Sequence, residues 1–206
     1  MFVIIRLIIS ILIAFLINCI LKKICYIGKG RLFKTLLNII IVSSLLIALS
    51  FCPLENLVVT FDSPKQVFEY VNPNVQKISL VVPGNKSDLV IAEHSSSYIY
   101  LIVPKDNYGS KIGVPSSTKM IAKKIHNNII IYVYQYANTE DFYITISNID
   151  GGYISVSDIY DSKFYLLEKE NKSLNKTFVT YFGFIHNCDS NYSVMIDGDV
   201  IKIINN

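Results

Sequence analysis

Acidic residues are absent from the first quarter of this 206-residue chain. Residues 1–52 hold six basic side chains, whereas all 16 acidic residues lie between positions 53 and 206, together with 13 lysines. The net charge of +3 therefore divides into +6 for the first segment and −3 for the second. The second segment also lacks arginine, whose planar fork contacts phosphate and guanine bidentately. These absences argue against nucleic acid as a partner.

Cysteine is scarce as well. Cys19, Cys25 and Cys52 lie in the first segment, and Cys188 is the single cysteine of the second. One cysteine cannot form an internal disulfide, so the second segment has to be held together by packing. We expect Cys188 to act as a small apolar side chain.

Catalytic and metal-binding motifs are also missing from the sequence. It has no G-x-S-x-G nucleophile elbow and no glycine-rich phosphate loop. The group His186-x-Cys188-Asp189 lacks the paired ligand spacing of zinc sites. A calcium loop that began at Asp189 would need Gly and Glu where the chain has Val194 and Val200. We therefore expect no cofactor, no metal and no enzymatic activity.

Two long hydrophobic runs are present. The first spans residues 2–21 and is interrupted by Arg6, Ser10 and Asn18, and the second spans residues 32–52. A membrane-spanning helix needs about 20 apolar residues. The runs predict two N-terminal transmembrane α-helices within a membrane anchor of residues 1–52. Arg6 is expected to extend toward the lipid head groups.

The segment between these runs, residues 22–34, carries five positive and no negative charges. Short basic loops stay on the cytoplasmic side of a membrane. The prediction is a multi-pass protein of the cell membrane with the lipid bilayer as a partner. Residues 53–206 would then lie on the extracytoplasmic side.

Residues 53–206 predict a mainly antiparallel, sandwich-like β domain with one short helix. Ser63, Pro64 and Gln66 supply the N-cap, the first helical position and the capping box of that helix. Beyond it, short segments of period two alternate with turn residues, as in a β-sandwich. The domain is either one unit or two lobes, residues 53–126 and 127–206. Strands are predicted at residues 56–61, 75–82, 88–93, 98–103, 118–126, 129–136, 142–148, 153–157, 163–168, 177–186, 192–196 and 200–204. Hairpins are predicted at the turns Asn127-Asn128, Asp150-Gly151-Gly152 and Asp197-Gly198-Asp199.

Three short motifs carry a resemblance to a known group of proteins. They are Ser63-Pro64-x-x-Val67-Phe68-x-Tyr70, Asp88-x-x-Ile91 and Val103-Pro104-Lys105. In these motifs the chain resembles small uncharacterised membrane proteins of Gram-positive bacteria. That group has no assigned activity, so the resemblance implies the architecture alone.

Tyrosine is the distinctive residue of the second segment, which holds 13 of the 14 tyrosines. Tyr132, Tyr134 and Tyr136 share one face of a predicted strand, and Tyr98 and Tyr100 share a face of another. An exposed tyrosine surface suits a glycan or a protein partner, because each ring offers a large area with a polar tip. Strand propensity alone also favours tyrosine on a pleated sheet. We take these five tyrosines as candidate partner-binding residues.

Three function hypotheses follow from these features. The favoured one is a non-enzymatic binding or interaction module of the cell envelope, with a protein or cell-wall partner on its outer face. The alternative is an accessory or sensing subunit of a membrane complex that acts through its helical hairpin, with Asn18, Asn38, Ser43 and Ser44 as helix-contact residues. A third, an extracytoplasmic hydrolase, would need His94, His126 or His186 beside carboxylates.

Overall fold

The N-terminal part of the chain forms a helical hairpin. A computed structural model describes residues 2–24, 30–51, 53–57, 59–75, 77–94, 97–171 and 176–204. Helix α1 runs from Phe2 to Ile24 and helix α2 from Arg31 to Phe51, and the two pack against each other. The Asn18 side-chain amide donates both to the Ala14 carbonyl, 2.9 Å away, and to the Asn38 side-chain oxygen. This amide pair connects the two helices.

The transmembrane prediction is wrong. Within the part of the chain that the structure describes, no helix combines the length and the apolar character needed to cross a membrane. The predicted transmembrane helices at residues 2–21 and 32–52 are overturned by this finding. The multi-pass membrane location and the extracytoplasmic placement of residues 53–206 are overturned with them. The lipid bilayer was inferred as a partner from these helices alone, so that inference has no remaining support.

Arg6 shows why counting apolar residues misleads here. Its guanidinium donates to the Glu55 carboxylate at 2.8 and 3.3 Å, and the two side chains are 10% and 5% exposed. The sequence of residues 2–21 predicts an apolar run in which Arg6 is a tolerated exception whose side chain extends outward. That exception is a buried charge whose partner lies 49 positions away. Part of the predicted basic loop, residues 25–29, lies outside the described residues.

Helix α3, Pro64–Val71, begins and ends where the sequence predicts. The Ser63 hydroxyl accepts from the Gln66 amide, as the capping box predicts, whereas the Gln66 side-chain oxygen accepts from the amide of Asp62, one residue before the N-cap. The amide of Asn72 closes the last turn on the Phe68 carbonyl. Val67 and Phe68 on the apolar face of α3 are fully buried, Val71 is partly buried, and this face packs on the first β-sheet.

Twelve strands form three antiparallel sheets over the described residues. Sheet one has the order β1-β2-β3-β4, sheet two β5-β6-β7-β10-β9, and sheet three β12-β11-β8. The strands are β1 Lys77–Pro83, β2 Ser87–His94, β3 Ser97–Asp106, β4 Gly109–Ser110, β5 Thr118–His126, β6 Ile129–Tyr136, β7 Phe142–Asn148, β8 Val156–Asp158, β9 Phe164–Asn171, β10 Lys176–Ile185, β11 Ser193–Ile196 and β12 Asp199–Lys202.

Two predicted hairpins are confirmed, and in both the turn chemistry matches the backbone. Between β5 and β6, Asn127 has a φ of 50°, and between β11 and β12, Asp197 and Gly198 have φ values of 49° and 91°. Such turns need positive φ, which asparagine, aspartate and glycine adopt at low cost. The lobe boundary proposed between residues 126 and 127 falls inside the first of these hairpins.

Two strand predictions are wrong. The described residues of the range 56–61 form no strand, because Leu54–Leu57 is a 3₁₀ turn and Phe61 makes an isolated bridge to Ser110. The hairpin predicted across residues 150–152 does not form either. The chain leaves sheet two after β7, and β8 pairs with β11 in sheet three.

The predicted sandwich character agrees with how the sheets stack. Sheet one packs on sheet two through one apolar cluster, and sheet two packs on sheet three through a second. Helix α3 covers the other face of sheet one. The order of layers is therefore α3, sheet one, sheet two and sheet three. The cluster between sheets one and two has the buried members Val82, Leu89, Ile91, Ile102, Tyr143 and Phe182. The cluster between sheets two and three includes the buried residues Ile131, Val133, Ile144, Ile146, Ile185, Cys188, Tyr192, Val194 and Ile203.

Cys188 lies in the cluster between sheets two and three and is 8% exposed. Burial, followed by the nearby Asp189 carboxylate, raises the pKa of its thiol from 9.0 to about 11. This placement agrees with the expected role of a small apolar side chain.

We predict slow alkylation of Cys188 in the folded chain. A pKa higher by about two units leaves roughly a hundredfold less thiolate at pH 8, and the thiolate is the nucleophile. Labelling with iodoacetamide at pH 8, followed by peptide mass spectrometry, should show Cys188 reacting about a hundredfold more slowly in the folded chain than in urea. Equal rates in the two states would contradict the burial of this thiol.

Candidate functional site

A groove of about 370 Å³ lies between sheet one and sheet two, next to the apolar cluster that joins them. Sheet one contributes two tyrosines from β3, and sheet two contributes side chains from β6, β7 and β10. We call this feature the tyrosine groove. It is lined by Tyr98, Tyr100, Tyr132, Tyr134, Thr145, Ser147, Thr180 and Phe182.

The strand register explains why these residues meet. On sheet two, Thr145 of β7 lies opposite Tyr132 on one side and Phe182 on the other. Ser147, two positions further along β7, lies opposite Thr180, and their hydroxyls are 3.1 Å apart. Side chains two positions apart on a strand point to the same face of the sheet. Thr145 therefore lies between the rings of Tyr132 and Phe182, and the hydroxyls of Ser147 and Thr180 lie side by side on the same face.

Contacts between tyrosines join the two walls of the groove. The hydroxyls of Tyr100 and Tyr134 lie 2.7 Å apart, and their rings are 5.5 Å apart at a tilt of 50°. The ring of Tyr132 stacks beside that of Tyr134 at 6.1 Å. The Tyr98 hydroxyl donates to the Glu168 carbonyl of β9 at 2.8 Å. The rings are therefore held in place before any ligand arrives.

Among the described residues, no charged side chain lines the groove, and two lysines lie close to its rings. Burial, followed by the hydrogen bond to Tyr100, raises the pKa of Tyr134. Burial, followed by the carboxylates of Glu93 and Glu168, raises the pKa of Tyr98. Lys123 Nζ lies 5.4 Å from the centre of the Tyr132 ring, and Lys169 Nζ lies 5.3 Å from that of Tyr98. The Tyr98 and Tyr134 side chains thus stay neutral hydroxyl donors and acceptors near neutral pH.

Four of the five tyrosines proposed from sequence come together in this groove. The fifth, Tyr136, lies apart and lines a different cavity of about 350 Å³ together with Asn56, Pro104 and Lys105. Tyr136 is thus separated from the others although it shares their strand face. The proposed role of all five as partner-binding residues stays a prediction.

Sequence reasoning missed the floor of the groove, which is made by Thr145, Ser147, Thr180 and Phe182. Each of them lies on a strand whose position along the chain was nearly correct. Period two along each strand predicts which of these residues share a face within that strand. It does not predict that β7 and β10 are adjacent in the sheet, because almost 30 residues separate them in the chain. The missing information was therefore the strand order.

The described histidine side chains lie outside the tyrosine groove. His126 Nε2 is 3.4 Å from the Asp199 carboxylate, with both side chains exposed, and His186 meets the Phe184 ring edge-on at 4.9 Å. The side chain of His94 lies outside the described residues. No group of three or more His, Cys, Asp or Glu side chains in the described ranges could hold a metal ion.

A second groove, of about 300 Å³, lies at the C-terminal end of α3 on the opposite face of β3. It is lined by Val71, Val75 and Ile99 together with the turn at residues 72–74. Tyr98 and Tyr100 point into the tyrosine groove, and Ile99 between them points into this apolar groove. Strand β3 is therefore flanked by a cavity on each of its faces.

The tyrosine groove offers ring faces for stacking and hydroxyls for hydrogen bonds, as in many ligand sites. Its lining has no carboxylate, imidazole or thiol. Such a lining can stack on a ligand and hydrogen-bond to it, and it contains no carboxylate or imidazole, the usual groups for proton transfer near neutral pH. No protein-family model, curated protein or solved structure matches this chain.

Proposed function

We propose that this chain is a non-enzymatic binding module whose ligand occupies the tyrosine groove. The observation that supports this most directly is the convergence of four tyrosines from two different sheets on one open cavity. Tyrosines are enriched at the centres of binding interfaces because they bury a large area and lose few rotamers. The hydroxyls of Tyr100 and Tyr134 already bond to each other, which reduces the cost of ordering them around a ligand.

The lining favours binding over catalysis. A hydrolase needs a nucleophile beside a base that is positioned to take its proton. Ser147 and Thr180 place hydroxyls in the groove, and these two hydroxyls lie 3.1 Å from each other. The described histidines do not line the groove. These features support a module that holds its ligand unchanged.

We predict that Tyr132→Ala weakens ligand binding at least thirtyfold. Tyr132 lies between Tyr134 and Lys123 on the groove wall, and truncating an aromatic residue at the centre of an interface costs about 2 kcal/mol or more. The full chain would be screened against a displayed library of random linear peptides and against an array of glycans. Affinities of the selected binders would then be measured by calorimetry.

The matched control is Tyr108→Ala. Tyr108 is 81% exposed and does not line the groove, so this substitution should leave the affinity unchanged. Binders from both screens that ignore Tyr132→Ala would refute the groove as the binding site. Failure of both screens to yield a binder would count against the proposed function as well.

A second candidate is an accessory subunit that assembles with a partner protein through the helical hairpin. It is favoured by the apolar surface of α1, where Phe15 and Leu16 are 65% and 60% exposed. Large exposed apolar patches mark interaction sites. One measurement distinguishes the two candidates. If the hairpin binds the partner, capture of the partner should depend on Phe15 and Leu16, and if the tyrosine groove binds it, capture should depend on Tyr132.

A further inference from the structure

Strand β3 has an open edge beside the tyrosine groove. Its residues Ser97–Pro104 pair with β2 along one edge. On the other edge, β4 pairs with Lys105 and Asp106 and goes no further. Within the described ranges, no strand pairs with the remaining length of that edge. An unpaired edge presents a row of backbone donors and acceptors to which another extended chain can add.

The parity of the hydrogen bonds identifies which residues point their backbone toward this edge. The Lys105 amide donates to Lys86 beside β2, whereas the Pro104 carbonyl accepts from Lys111 on the opposite side. Backbone groups alternate between the two edges from residue to residue. Tyr98 and Tyr100 have the parity of Pro104, so their N–H and C=O groups point to the open edge.

The open length is short and well defined. Ile102 has the same parity, but a Cβ placed on Gly113 would lie 3.4 Å from its carbonyl oxygen, so residue 113 covers the edge at that point. Residues 98–101 remain open among the residues that the structure describes. This length suits a partner strand of about five residues.

Beside the open edge, each face of β3 has a cavity, and successive residues of β3 line the two cavities in turn. Tyr98 and Tyr100 lead into the tyrosine groove, and Ile99 leads into the apolar groove beside Val71 and Val75. Successive side chains of an added strand point to opposite faces. Main-chain bonds to an edge with alternating side-chain pockets are how proteins bind extended peptides. A glycan has no backbone that could match this edge.

We propose that the ligand of the tyrosine groove is an extended peptide segment that adds to β3 as a further strand. Its backbone pairs with Tyr98 and Tyr100. Alternate side chains enter the apolar groove, and the side chains between them enter the tyrosine groove, where polar or aromatic groups meet the hydroxyls of Thr145 and Ser147. The inference rests on the proposed function, because it names the class of ligand for the same groove.

The free chain offers a first test by amide hydrogen exchange followed with NMR. The amides of Tyr98 and Tyr100 should exchange roughly a hundredfold faster than those of Ile99 and Leu101, which are bonded to β2. Protection of Tyr98 and Tyr100 equal to that of their neighbours would show that the edge is already covered, and would overturn the inference.

The second test uses the strongest binder from the linear-peptide library. Its backbone amides would be N-methylated one at a time, and binding to the full chain measured. A peptide that adds to an edge should lose about tenfold in affinity at every second position and little at the positions between, because alternate amides form the ladder. Bound peptide should also slow exchange at Tyr98 and Tyr100.

The outcomes of these experiments separate the two proposals. Loss without alternation along the peptide would overturn the strand addition. A glycan whose binding depends on Tyr132, together with no selected peptide, would also overturn it but would leave the groove as a binding site. Binders of either class that ignore Tyr132→Ala would overturn both proposals.

Discussion

Replacing Asp141 by asparagine is expected to lower the free energy of unfolding by about 3 kcal/mol. Asp141 is 1% exposed and directly precedes β7 of sheet two. Its carboxylate accepts from the amides of Asn85 and Lys86 at 3.2 and 2.7 Å and from the Ser87 hydroxyl at 2.8 Å, all in or beside the β1–β2 turn of sheet one. One carboxylate therefore fastens the two sheets together.

The substitution preserves size and removes charge and acceptors. Asparagine has one acceptor oxygen, and its amide would face groups that themselves donate. Hydrogen bonds to a charged group are worth about 1.5–3 kcal/mol, and buried donors left without an acceptor add to the loss. The Ser87 hydroxyl also lies 3.0 Å from the Tyr143 hydroxyl, so the damage extends into the cluster between the sheets.

Urea unfolding followed by circular dichroism measures this effect. Glu140→Gln is the matched control, because Glu140 is the neighbouring acid and is exposed, so that substitution should change stability by less than about 0.5 kcal/mol. Equal stability of the two variants would show that the Asp141 contacts do not fasten the sheets.

Glu55→Gln is expected to destabilise the chain by about 3 kcal/mol. Glu55 lies in the 3₁₀ turn after α2, and its carboxylate accepts two hydrogen bonds from the guanidinium of Arg6 on α1. The substitution removes the negative charge that faces the buried guanidinium of Arg6, and losing one charge of a buried pair costs about 3 kcal/mol or more. The Arg6–Glu55 pair thus ties the helical hairpin to the turn that leads into the β domain.

The double replacement Arg6→Met with Glu55→Leu distinguishes the cost of a buried charge that has lost its counter-charge from the effect of changing the packing at these two positions. Removing both charges should restore stability to within about 1 kcal/mol, since apolar residues of similar volume often replace a buried pair without loss. Glu69→Gln is a suitable surface control, because Glu69 is exposed on α3. Urea unfolding gives the global effect, and amide exchange at residues 59–62 reports local release. A stable Glu55→Gln variant would contradict the role given to this pair.

The elements predicted correctly are those whose signals are local. Helix α3 has its N-cap Ser63, its first-turn proline and Gln66 within four residues, and each of them contributes to the start of the helix. Strands β5, β6 and β7 begin and end where period two and turn residues predict. Each of these signals depends on neighbours a few positions away, which the sequence displays directly.

The elements predicted wrongly depend on distant partners. Residues 153–157 followed a turn signal after β7 and were paired with it, yet β8 joins β11 almost 40 residues later. The hydrophobic runs of residues 2–21 and 32–52 were interpreted without Glu55, the partner of Arg6. Hydrophobicity along a run does not say which polar group will meet it, because that depends on the folded path of the chain.

The candidate groove shows the same division. The sequence by itself determined that Tyr98 and Tyr100 share one strand face and that Tyr132 and Tyr134 share another, because side chains alternate with period two. It also determined that a domain with one cysteine must rely on packing. Only the tertiary structure decided that these two faces meet over Thr145 and Thr180, that Tyr136 lies apart, and that the edge of β3 stays open. Those features follow from strand order and sheet stacking, which are set by the joint burial of residues far apart in the chain.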